Sequence, residues 1–233
     1  MIPFRDNIPS RSFPIITIAI ILANAGVFLY ELELGRSLEP FIMQYGVVPA
    51  AVFRWPQSDL PFASVALPFL TSMFLHGGWL HLIGNMWYLW IFGDNVEDRL
   101  GHFAYLIFYL LCGLGAGIVH TILNYQIVVP SVGASGAIAG VLGAYVVSYP
   151  RARVLTLVPI FIFIQIIEIP AVILLGLWFI LQFFNGAASL ATTSAGAGGV
   201  AWWAHVGGFV IGIILVGLFP RKDRPRYEYV TRY

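Results

Sequence analysis

The chain has 233 residues, of which 59% are hydrophobic and 10% charged, a balance that excludes an ordinary soluble domain with a charged surface. A formal net charge of +1, with the basic residues in short groups between apolar stretches, gives no footprint for a nucleic-acid partner.

In chain order, six stretches qualify as membrane spans, since a bilayer core of about 30 Å calls for about 20 apolar helical residues. The first covers 13–34. Its core resembles a cleavable signal ending at Ala23-Asn24-Ala25, but the apolar run continues through Tyr30, which favours a retained span. Residues 35–68, with Pro49, Trp55, Pro56 and Pro61, read as an interfacial outer loop with short helices. The second span is 70–92, followed by a polar turn over 93–101, and the third is 103–123, where the lone Cys112 is a small packing residue. The fourth, 135–149, stops before Pro150 and Arg151 and covers only about 22 Å, so one of its ends lies inside the membrane. Pro159, Gln165, Glu168 and Pro170 interrupt the next apolar stretch, which places the fifth span at 169–184, with Glu168 an interfacial anchor. The Gly, Ala, Ser and Thr of 185–199 predict a flexible outer loop. The sixth span is 200–219, and 221–233 is a tail. The expected architecture is a single all-α, polytopic membrane domain with six helices and no internal repeat.

With a cytoplasmic N-terminus, ten of the twelve basic residues fall on the inner side and only Arg36 and Arg54 outside. The positive-inside bias therefore puts both termini in the cytoplasm.

Polar residues inside spans are costly, and they mark functional sites. His81 and Asn85, four apart, share one face of the second span. Ser135 opens the fourth span within Gly133-Ala134-Ser135-Gly136, and His205 lies about one turn into the sixth. All four fall in the outer half of the membrane. A serine hydroxyl needs a base to take its proton, and an imidazole serves near neutral pH. The start of the fourth helix offers free N–H groups to a developing oxyanion, and His81 and Asn85 add to them. Gly136, Gly140, Gly143 and Ala144 on one helix, with Ala204, Gly208 and Gly212 on the other, form small-residue stripes that let the two pack closely. His76, His102 and His120, near span ends, are expected at the interface.

Three motifs, His81-Leu82-Ile83-Gly84-Asn85, Gly133-Ala134-Ser135-Gly136 and Ala204-His205-Val206-Gly207-Gly208, resemble those of the rhomboid intramembrane proteases. Glu97-Asp98-Arg99-Leu100-Gly101 is similar to that family's turn after the second span. The resemblance implies a six-helix bundle and a Ser135–His205 dyad. It further implies an oxyanion site from His81, Asn85 and the Ser135 N–H, and no cofactor. It implies that 185–199 caps the site and that the fifth span moves to admit a substrate helix. Ala139 stands where the family often has an aromatic residue stacked on the catalytic histidine. Ala66-Leu67-Pro68-Phe69 stands near its common Trp-Arg pair.

The expected activity is hydrolysis of peptide bonds in or near the transmembrane helices of other proteins. The partners are those substrates and the lipid bilayer, with no nucleic acid and no metal, in the cell membrane if the source is bacterial. No H-E-x-x-H motif and no pair of embedded aspartates suggests another protease chemistry. The rivals are a small transporter, which would carry inverted repeats, and a catalytically silent relative that binds membrane helices.

Overall fold

The computed structural model describes residues 1–160, 163–191 and 200–220. Among these, α1 (Ile15–Glu33) is followed by four short helices, α2 (Leu38–Tyr45), α3 (Pro49–Arg54), α4 (Ala63–Ala66) and α5 (Pro68–Thr71). The larger α6 (Trp79–Leu100), α7 (His102–Leu123), α8 (Ser135–Ser148), α9 (Ala171–Ala191) and α10 (Trp202–Leu218) complete the helical part. Three helices, Ile15–Glu33, His102–Leu123 and Ala171–Leu190, are long and apolar enough to cross a membrane. The pair Ala63–Phe74 and Trp79–Leu100, bent by 77°, passes as a fourth, whereas α8 and α10 are shorter apolar helices. The molecule is thus mostly helical, and its apolar helices fit an integral membrane protein.

The centre of the bundle is α8, with α10, α7 and α6 around it. Phe92, Tyr105, Phe108, Tyr109, Leu142 and Tyr145 are fully buried there. Outward faces carry exposed Leu22, Leu80, Ile83, Phe103 and Ile214, as lipid-facing surfaces do.

Three expectations need correction. The expected polar turn at 93–101 is helical to Leu100, because its acids serve the start of α1 instead of breaking α6. Glu97 accepts the N–H groups of Ile16 at 2.9 Å and Thr17 at 2.8 Å, and Asp98 accepts the Ser12 N–H at 3.0 Å. The fifth helix also runs on to Ala191, well into the segment expected as a flexible loop. The rest of that loop and the tail at 221–233 lie outside the described residues.

The third correction concerns the fold class, since the chain is not all-α. Strands β1 (Ile2–Asp6), β2 (Arg153–Ile160) and β3 (Phe163–Pro170) form an antiparallel sheet in the order β1-β2-β3. Val154, Thr156, Val158, Ile164, Ile166 and Ile167 are β-branched and favour extended backbone. Pro170 ends the hairpin where α9 begins. The sheet is fastened to the helices through β1. Trp87 Nε1 donates to the Pro3 carbonyl at 2.6 Å, and the Asp6 carboxylate accepts from Asn95 Nδ2 at 3.1 Å and from the Tyr145 hydroxyl. Burial pushes the Asp6 carboxyl from its ordinary 3.8 up to about 7, although the Tyr145 hydroxyl pulls the other way.

Candidate active site

Ser135 is the first residue of α8, preceded by Ala134 as its cap and by Gly133 at φ +127°. That backbone geometry, which L side chains rarely adopt, turns the chain sharply into the helix. Gly133 N–H donates to the Ser72 carbonyl at 2.8 Å and holds the turn in place. A methyl group on Gly133 would stand 2.8 Å from His81 Nε2 and 3.6 Å from Asn85 Nδ2, so the glycine also makes room for both side chains beside the serine turn.

His205 reaches Ser135 because α8 and α10 approach at backbone distance. A Cβ built on Gly208 would run into the Gly136 carbonyl, one on Gly212 into the Gly140 carbonyl, and one on Gly143 into the Phe209 carbonyl. The two small-residue stripes read in the sequence therefore face each other. Across this seam His205 Nε2 lies 2.8 Å from Ser135 Oγ. His205 is buried and Ser135 half-buried.

The other imidazole nitrogen of His205 also has a partner. Nδ1 lies 2.7 Å from Oε1 of the buried Gln182 on α9. A carbonyl-type oxygen can only accept, so a hydrogen bond to Oε1 calls for the proton on Nδ1, the tautomer whose Nε2 lone pair faces the serine hydroxyl. Trp178, four residues before Gln182, lies tilted on the ring with centroids 5.7 Å apart, and Trp202 meets it edge-on at 6.3 Å.

His81 accepts the Gly77 N–H on Nδ1 at 3.3 Å, which leaves Nε2–H as a donor on the side of Gly133. Asn85 Nδ2 is 3.0 Å from His76 Nε2. The His76 N–H is held in turn by the buried Glu31 carboxylate of α1, at 3.2 and 3.3 Å. His76 is therefore a buried neighbour of Asn85 and not the interfacial residue its position suggested. A small cavity opens beside Ser135, lined among others by Met73, Gly113, Ala116, Gly133 and Ala204.

The structure thus brings together Ser135 and His205 directly, and His81 and Asn85 around the Gly133 turn. Sequence reasoning missed Gln182, Trp178 and His76. The available signal for Gln182 was a polar side chain inside an apolar span, at helical spacing from a tryptophan. Among the described residues no group of three or more His, Cys, Asp or Glu could hold a metal ion.

The family model described as the rhomboid domain matches residues 64–222. The chain is 31% identical over 166 residues to the chloroplastic rhomboid-like protein 11 of Arabidopsis thaliana, covering 66% of this chain and 52% of that protein. It is 29% identical to the mitochondrial presenilin-associated rhomboid-like protein A of Danio rerio, covering 70% and 41%. It is 30% identical to the mitochondrial rhomboid protein 1 of Saccharomyces cerevisiae, covering 68% and 42%. The chain spans about half or less of the length of these relatives.

Proposed function

The chain belongs to the rhomboid family, and from that premise we propose that it is an intramembrane serine endopeptidase acting on the transmembrane helices of other proteins. The observation that carries the reading is the 2.8 Å approach of His205 Nε2 to Ser135 Oγ between two helices locked at backbone distance. A hydroxyl bonded to the lone pair of a buried imidazole is an activated nucleophile.

In this reading the Ser135 oxygen attacks the scissile carbonyl while His205 Nε2 takes its proton. Negative charge builds on the carbonyl oxygen, and the Ser135 N–H, His81 Nε2–H and the Asn85 amide donate to it. His205 then hands its proton to the leaving amine, and the acyl group stays on Ser135. Water, entering from the outer side, gives its proton to His205 and attacks the ester, which frees the carboxylate and restores the hydroxyl. A folded helix shields its carbonyls with its own hydrogen bonds, so the substrate must unwind locally before it reaches Ser135. The glycine- and alanine-lined cavity beside the serine suits a small side chain at the cut.

The six apolar stretches, of which α8 and α10 are the shorter ones, form one bundle in this reading, with both termini cytoplasmic and the sheet on that side. The site then lies in the outer half of the bilayer, in the cell membrane if the source is bacterial.

The test is a fluorophosphonate probe on the reconstituted protein, read by mass spectrometry, together with cleavage of a transmembrane substrate. Labelling at Ser135, abolished with cleavage by Ser135→Ala and by His205→Ala in folded protein, is expected. Equal cleavage by wild type and Ser135→Ala would refute the assignment, and a wild type that neither labels nor cleaves would leave a silent helix binder.

A further inference from the structure

A two-residue dyad leaves open what holds the imidazole in its working tautomer. The seam between α8 and α10 has no room for that support. Ala139, one turn after Ser135, is fully buried, and a Cβ on Gly208 would stand 3.3 Å from its methyl group. An aromatic ring at 139 would separate the helices that bring Ser135 and His205 together.

The support comes from α9 instead. Trp178 and Gln182, four residues apart and so on one helical face, present a ring to the His205 imidazole and an amide oxygen to its Nδ1. We propose that Gln182 is the positioning residue of the catalytic base, holding His205 in the Nδ1–H tautomer, with Trp178 fixing the plane of the ring. The inference rests on the hydrolytic reading of Ser135 and His205. Its physical content is a choice between two hydrogen-bonding states. With Oε1 facing Nδ1, the Nε2 lone pair is free for the serine proton. With the proton on Nε2, His205 could only donate to Ser135 and would not act as its base.

The location of these two residues adds a second consequence. The other face of α9 is exposed and apolar at Ile173, Leu177, Ile180, Leu181 and Phe184, and the helix packs chiefly on α10. Trp178 and Gln182 belong to one rigid helix, so any displacement of α9 from α10 removes both from His205 at once. The base is therefore oriented only while α9 is seated on α10.

Gln182→Met keeps the length of the side chain and removes the acceptor, and Gln182→Glu keeps an acceptor. Gln182→Met is expected to lower kcat about 10- to 100-fold, part of what general-base catalysis supplies, with KM changed less than about 2-fold. Gln182→Glu is expected to recover most of that rate, with the acidic limb of its pH–rate profile moved upward, because a carboxylate favours the imidazolium. The tautomer is read independently from the nitrogen-15 shifts of His205 in labelled protein, which need no turnover. Wild type should show Nδ1 protonated and Nε2 bare, and Gln182→Met a mixture. Wild-type kcat in Gln182→Met, or an unchanged tautomer signature, overturns the proposal. Equal losses in the Met and Glu variants, with the tautomer intact, would make Gln182 a space-filling residue and also overturn it. Loss of Ser135 labelling in wild type would strike the hydrolytic reading alone, because the nitrogen shifts would still report on the positioning.

Discussion

Gly208→Ala is the most demanding perturbation of the helix seam. The added methyl group falls on the Gly136 carbonyl, well inside the contact distance of about 3.5 Å that non-bonded atoms require. Both partners are helix backbone, so no side chain can swing aside, and α10 must move from α8 by about 1 Å. Gly208 lies less than one turn from His205, and the 2.8 Å bond to Ser135 is stretched by most of that shift, beyond hydrogen-bond range. If Ser135 and His205 react as proposed, a displacement of about 1 Å costs the pair about 100-fold in rate. The strain itself destabilises the fold by about 1–3 kcal/mol. The assay is cleavage of a reconstituted transmembrane substrate alongside thermal unfolding in detergent. Gly176→Ala is the control, because a methyl group there meets nothing within 4 Å. Wild-type kcat in Gly208→Ala, or an equal loss in Gly176→Ala, would refute the account of how the dyad is held.

Asn85→Ala should leave a folded protein with kcat reduced about 100-fold and KM little changed, as measured by steady-state cleavage, if the amide serves the oxyanion. Glu97→Ala strips the Ile16 and Thr17 N–H groups and the Thr17 hydroxyl of their acceptor. It should lower stability by about 3 kcal/mol, read as a fall in Tm, with kcat of the folded fraction unaltered. The raised Asp6 carboxyl gives the sheet a pH dependence whose sign is fixed. The folded state keeps its proton up to about 7 while the unfolded chain releases it near 3.8, so the stabilisation is full below about 4 and declines as pH rises through that window. Asp6→Asn should flatten the dependence, as followed by proteolysis of the N-terminal strand on either side of the transition.

The helices were legible because lipid imposes a simple rule on length and polarity, and 13–34, 103–123 and 200–219 fall within two residues of α1, α7 and α10. The proximity of Ser135 to His205, and of His81 and Asn85 to the Gly133 turn, was legible because each is a polar residue in an apolar stretch with glycines within four positions. The hairpin was not. Its apolar run fits a buried helix as well as a strand, and Pro159 and Pro170 read as interruptions of a span. Only β-branching favoured strands, and β1 pairs with β2 across most of the chain, which no local window reveals. Gln182 and Trp178 escaped notice for the same reason. Their partner His205 belongs to another helix, and depth along a span says little about which face points inward.

The sheet also sets an order of events during synthesis. Ile2 leaves the ribosome before any of the helices, whereas its partner Leu157 follows only after α1 through α8 have been made. Pro3 and Asp6, the groups that Trp87, Asn95 and Tyr145 bind, are already present by then, so β1 can rest on the helices before β2 exists. Closure of a contact so distant along the chain is slow. Pairing of β1 with β2 is therefore the late step, and it joins a strand seated on α6 to the hairpin that leads into α9 once most of the bundle is in place.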